Sequence, residues 1–135
     1  MKTILLIDDH PSDNSIFVSL LRNKYAVDVT AYITTALIKL TNDKRYDLVI
    51  LDVMMPSFEI DFNGIDTDDG LRTGLVFYEA KLKDLNTPVL FWSWNKDFEK
   101  EIKEKKWDKT DFLLKETDDD HLLNGIERFI KKYRI

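Results

Sequence analysis

A few acids, one hydroxyl and one amine, spread over the whole chain, are placed where they could do chemistry. Asp8 and Asp9 follow the apolar run Ile4 to Ile7, and Asp52 follows Leu48 to Leu51. Ser93 follows Val89 to Trp92, and Lys115 follows Phe112 to Leu114. Each of these groups closes an apolar stretch of strand length. Carboxylates brought within a few ångströms of one another repel, which raises the proton affinity of at least one unless a cation joins them. Mg²⁺ suits such a pit, because it is a hard ion that takes oxygen ligands and keeps several of its waters.

The elements that must position these groups can be read from Asp47 to Pro56 outward. Leu48 to Leu51 is unbroken and β-rich, as in a central parallel strand covered on both faces. Pro56 cannot continue such a strand, so the chain leaves the sheet there. Asp52 then stands at the carboxyl end of a buried strand, where open α/β sheets bind their ligands. Before it, Thr3 to Ile7 reads as a first strand. Pro11 suits the first turn of a helix burying Ile16, Phe17, Leu20 and Leu21. Tyr25 to Thr30 alternates as a second strand, and a helix from about Ile33 to Asn42 buries Ala36, Leu37 and Leu40.

After Pro56 the stretch from Ser57 to Thr73 is rich in turn formers, without periodicity, and long for a strand-to-helix connection. Its Asp61, Asn63 and Gly64 miss the offsets of a calcium loop, and no Glu closes it. Helical spacing returns through Leu75, Tyr78, Leu82 and Leu85. A strand follows over Val89 to Trp92, then a charged helix over Asn95 to Lys106 anchored by Phe98 and Ile102. Phe112 to Leu114 makes a last short strand. Asp118 to Asp120 start a final helix that buries Leu122, Leu123, Ile126, Phe129, Ile130 and Tyr133.

Strand and helix alternate throughout, which predicts a parallel sheet with right-handed crossovers. The expected fold is α/β: a flavodoxin-like doubly wound sheet of five strands, order 2-1-3-4-5, with helices on both faces. The first and third strands then adjoin at the switch point. Asp8, Asp9 and Asp52 converge there, with Ser93 and Lys115 on the next strand ends.

With 135 residues the chain is expected to be a single domain spanning residues 1–135. The hydrophobic fraction of 44% argues against disorder despite 33% charged residues. Cysteine is absent, which removes disulfides and thiolate metal sites and fits a cytoplasmic setting. No apolar run approaches membrane-spanning length, and Asp8 and Asp9 interrupt any signal-peptide pattern. A net charge of −5 disfavours direct DNA binding. The basic clusters Lys96 to Lys109 and Lys131 to Arg134 read as solvated helix faces.

Taken in order, Asp8-Asp9, Asp52-Val53-Met54-Met55-Pro56, Ser93, Phe112 and Lys115 give the chain a likeness over its whole length. It resembles the receiver domains of two-component response regulators, of the stand-alone type. The resemblance implies that Asp52 is the phosphorylated nucleophile, taking a phosphoryl group from a histidine kinase, a phosphotransfer protein or a small phosphodonor. It implies a Mg²⁺ ion on Asp9, Asp52 and the Met54 backbone carbonyl, with Asp8 acting through water. Lys115 would neutralise one phosphoryl oxygen and Ser93 would donate a hydrogen bond to another. That pull would draw in the loop after the fourth strand and let Phe112 turn inward, a two-state switch.

The chain also departs from the family's pattern. The extended loop at about 57–73 is expected to form a lid or a partner-specific contact beside Asp52. Trp94 stands where small residues are common, and Met54 offers no side chain to orient water. Together these two are expected to restrict access and prolong the phosphorylated state. Glu116 replaces the proline usual after the lysine, so the cis bond customary there is not expected. Such a switch is expected to act by binding a downstream protein, through the face of the fourth strand and the last two helices, or by passing the phosphoryl group on, and a phosphorylation-dependent dimer is compatible with this. The competing reading is an interaction module that keeps the fold without regulation by phosphate. A dehalogenase-type phosphatase ranks last, because Met54 stands where that family wants a second Asp.

Overall fold

The computed structural model describes residues 1–9, 15–42, 45–55, 70–115 and 118–135. Strands β1 (Thr3–Ile7), β2 (Ala26–Thr30), β3 (Leu48–Asp52), β4 (Val89–Ser93) and β5 (Thr110–Leu114) pair in parallel in the order β2-β1-β3-β4-β5. Between and after them come helices α1 (Ser15–Arg22), α2 (Ile33–Thr41), α3 (Thr73–Phe77), α4 (Asp97–Lys105) and α5 (Asp119–Lys132). The chain thus adopts the flavodoxin-like doubly wound α/β fold expected of it. The central strand β3 is buried at every position, as an apolar run covered on both faces must be.

Alternation of side chains along the strands divides the core into two clusters. On one face Leu5, Ile7, Val49, Leu51, Phe91 and Phe112 pack under α2, α3 and α4. On the other Ile4, Leu6, Ile50, Leu90, Trp92 and Leu113 pack under α1 and α5. The second face matters most below, because it continues into the acids.

Several helix faces differ from those read in the sequence. In α1 the buried residues are Phe17, Val18 and Leu21, while Ile16 is 71% exposed and Leu20 only partly covered. The helix starts at Ser15, so Ile16 lies in its first turn and turns away from the sheet. In α2 Ala36 is buried with Ile33, and Leu37 and Leu40 are only partly covered. The helix through Leu75 is not uniform: α3 widens into a π-helical turn at Tyr78–Leu82 and tightens into a 3₁₀ turn at Lys83–Leu85. The wide turn adds a residue to the repeat, so Phe77 and Tyr78 both face the core and Leu85 is 38% exposed. β5 begins at Thr110, before the apolar residues that announced it. Pro11, residues 57–69 of the extended loop and Glu116 lie outside the described residues.

Candidate functional site

The site is the continuation of one face of the sheet past its apolar part. Leu6 is followed two residues on by Asp8, Ile50 by Asp52, Leu90 by Trp92 and Leu113 by Lys115. Period-two alternation therefore sends all four side chains to the α1/α5 side at the carboxyl ends of the strands. Register places them in a row: Asp52 pairs with Trp92, and the pairing of Ile7 with Leu51 carries Asp8 alongside Asp52.

The row is charged and dry. Asp8, Asp52 and Lys115 are all buried, at 0%, 3% and 7% exposure. The Lys115 ammonium lies 3.1 Å from Asp8 Oδ2 and 3.2 Å from Asp52 Oδ2. The Met54 backbone N–H donates to the other Asp52 oxygen, Oδ1, at 3.1 Å. Backbone bonds hold the supporting turns: Asp8 N–H to Thr30 O, Val53 N–H to Trp92 O and Lys115 N–H to Ser93 O, at 3.0, 3.2 and 2.8 Å. Burial pushes the Asp52 carboxyl up to about 7, opposed by the charge of Lys115 and reinforced by that of Asp8.

Asp8, Asp9 and Asp52 each offer a carboxylate oxygen, and these oxygens lie within 4.8 Å of one another. An all-oxygen donor set with excess negative charge fits a hard divalent cation such as Mg²⁺. The same cation would favour ionised Asp52, which in its absence is biased toward the acid. The residues present therefore fit the ion.

Ser93 is buried on the opposite face of β4, with its Oγ accepting from the Asn95 backbone N–H at 3.1 Å. Phe112 also lies on that face and is already buried, at 7% exposure, within the α2/α3/α4 cluster. Trp94 is 63% exposed and Met54 lies at the surface, both next to residues of the pit.

Three contributors were not singled out by residue type. Trp92 joins the row as an apolar residue among charges, and looked like the end of a core strand. Gly74 lies so close to β3 that a Cβ there would meet Asp52 O at 2.2 Å, and its N–H donates to Val53 O at 2.8 Å. Thr73 is buried and its hydroxyl donates to Met55 O. The dipeptide Thr73-Gly74 thus fastens the start of α3 to the segment after Asp52. A small residue at the entry of a helix that follows an acid-ended strand is the signal that would have found it.

The comparisons with known proteins agree with this fold. The response regulator receiver domain model matches residues 4–127. Among similar solved structures is the receiver domain of a Francisella response regulator, 20% identical, covering 98% of each chain with a TM-score of 0.69. Another is the response regulator TrrA from Thermotoga maritima, solved in complex with Mg²⁺-BeF, at 23% identity, 96% and 99% coverage and TM-score 0.67. These two share the fold. The Vibrio cholerae chemotaxis protein CheY4 is 26% identical over 96% of this chain and 98% of its own, with TM-score 0.70. No curated protein matches the chain by sequence. A model match over most of the chain, on a doubly wound sheet with an acid pit at its switch point, makes this chain a member of the response regulator receiver domain family.

Proposed function

We propose that the chain is a phosphorylation-controlled signalling switch in which Asp52 accepts a phosphoryl group from a histidine kinase, a phosphotransfer protein or a small phosphodonor. Receiver domains are in general phosphoacceptors of two-component signalling rather than enzymes in their own right. The observation that carries the assignment to Asp52 is the Lys115 ammonium, buried between Asp8 and Asp52 at 3.1 and 3.2 Å.

In the proposed step an Asp52 oxygen attacks phosphorus, and the bond from phosphorus to the donor nitrogen or oxygen breaks with its electron pair leaving on the donor. An acyl phosphate results. Charge moves from the carboxylate to the phosphoryl oxygens, and Lys115 is near enough to follow it. Asp9, Asp52 and the Met54 carbonyl would hold Mg²⁺, with Asp8 reaching it through water; when bound, the ion supplies positive charge to the phosphoryl oxygens. The Met54 N–H keeps the carboxylate oriented, and the Ser93 hydroxyl has a hydrogen to donate to a phosphoryl oxygen. Met54 and the exposed Trp94 stand at the mouth of the pit, where they would limit access of water and prolong the modified state.

The output is proposed to be a downstream protein rather than DNA, bound on the face of β4, α4 and α5. A cavity of about 640 Å³ there is lined by Glu99, Lys103, Asp111, Phe112, Arg128 and Lys132, among others. The reading places the protein in the cytoplasm, and a dimer formed on phosphorylation is consistent with it. Among the described residues no helix is long and apolar enough to cross a membrane.

A second reading is an interaction module that works without phosphate, in which Phe112 stays buried as it is here. Intact mass after incubation with acetyl phosphate and Mg²⁺ separates the two. The switch requires a single phosphoryl adduct on the wild type and none on Asp52→Ala. An unmodified wild type, or equal modification of the variant, removes the first reading.

A further inference from the structure

To reach Asp52, the side chain of Lys115 leaves β5 and crosses β4, because β4 lies between β5 and β3 in the sheet. What it crosses is Trp92. We infer that Trp92 is a positioning residue for Lys115: the face of its indole seats the ammonium where it can serve both Asp8 and Asp52. The functional weight of this rests on Asp52 being the phosphoacceptor; the contact itself does not.

Independent observations converge on the indole. Register sets Trp92 directly beside Asp52, and alternation turns both to the same side of the sheet. The Lys115 ammonium lies 4.6 Å from the ring centroid, well within cation–π range. Trp92 is fully buried and Lys115 nearly so, which leaves little water to screen the attraction. Phe17 of α1 meets the ring at a centroid distance of 5.5 Å, tilted by 41°, and so fixes its orientation.

The remaining observation is a cost. Trp92 Nε1 is buried and has no hydrogen-bond partner among the described residues. Such an N–H is unfavourable, and phenylalanine or leucine at this position would avoid it. Among the described residues it is therefore the indole's ring face, and not its N–H, that finds a polar partner. Its face, the strongest aromatic partner for a cation, is what meets Lys115. A ring face suits the task, because its attraction is broad. As charge passes from Asp52 to a phosphoryl oxygen, the ammonium can slide across the face to follow it without being rehydrated.

The test compares Trp92→Phe, which keeps an aromatic face, with Trp92→Leu, which keeps apolar bulk alone. The first readout is the rate of Asp52 modification by acetyl phosphate with Mg²⁺, followed by intact mass. The second, independent of any phosphoryl transfer, is the upfield ring-current shift of the Lys115 Hε protons. We expect Trp92→Phe to stay within a few-fold of wild type and Trp92→Leu to fall by roughly tenfold, with the Lys115 shift kept in the first and lost in the second. Equal rates in both variants, whether both normal or both reduced, would reduce Trp92 to a packing residue and overturn the inference. Should Trp92→Leu fail to fold, the Trp94→Phe, Trp107→Phe chain replaces it, grown on ordinary and on fluorinated tryptophan and compared with itself. Fluorine weakens the ring's hold on a cation while leaving its shape nearly unchanged, so an unaltered rate is again a negative result. If the wild type takes no phosphoryl group at all, the functional reading fails, and the Lys115 shift alone decides whether the seat exists.

Discussion

Asp52 carries the site's main electrostatic tension. Burial raises its folded pKa from 3.8 to about 7, so the protonated form is the one the fold prefers in the absence of a metal. The sign follows from linkage. Stability from this group is full below its unfolded value and is lost as pH rises through about 7. Metal-free protein should therefore lose on the order of a few kcal/mol between about pH 4 and pH 7 from Asp52. Asp52→Asn should flatten that slope and raise the metal-free melting temperature at pH 8, as urea or thermal denaturation across pH would record. Magnesium uptake should release a proton below pH 7, so affinity should climb with pH and level off above it; a pH-independent Kd would contradict this. At this scale the acids and the lysine were legible, because a charged residue closing an apolar run is conspicuous. Trp92 was not, because an aromatic residue at the end of a core strand looks like core until register shows what passes over it.

The elements supply two couplings that residue types do not reveal. Gly74 lets the start of α3 rest against the end of β3, where an added Cβ would meet the Asp52 carbonyl at 2.2 Å. Backbone cannot yield as a flexible side chain can. Gly74→Ala should thus destabilise the fold by about 1–3 kcal/mol and weaken magnesium binding together with it. Parallel urea and magnesium titrations read by tryptophan fluorescence check this; normal binding in the variant would separate α3 from the site. The second coupling is the two-pronged ion pair of Arg72, just before α3, with Glu101 of α4. Both side chains are about a third exposed, at 37% and 32%, so the pair is worth under about 1 kcal/mol to stability. Its effect should be local instead. In Glu101→Gln, amide exchange should quicken in α4 and stay unchanged in α5, since α4 buries only Phe98 and Ile102. The order and kind of elements were legible from periodicity. The π-helical turn at Tyr78–Leu82 was not, since a regular repeat fits Leu75, Tyr78 and Leu82 equally well, and only the burial of Phe77 and exposure of Leu85 betray the extra residue.

For the molecule as a whole, the sheet converts a scattered set of residues into a single charged row with an apolar floor. The topology was legible because the strands are short, apolar and regularly separated by helical spacing. What the extended loop does was not, since its turn formers specify no partner. A ligand that binds only the assembled row stabilises the whole fold by mass action. Magnesium should accordingly raise the melting temperature of the wild type and have little effect on Asp52→Ala, and calorimetry with and without the ion tests both statements. Equal shifts would place the ion elsewhere.

The ion pair between Lys115 and Asp8 joins residues 107 positions apart. During synthesis, a chain emerging from the ribosome has its acids long before it has the amine that offsets them. Until the fifth strand docks, an early fragment holds only mutual repulsion where the finished protein holds a receptive centre. Under the proposed function, order of translation would then act as a safeguard: unfinished copies should be mute to any donor until β5 brings in its lysine.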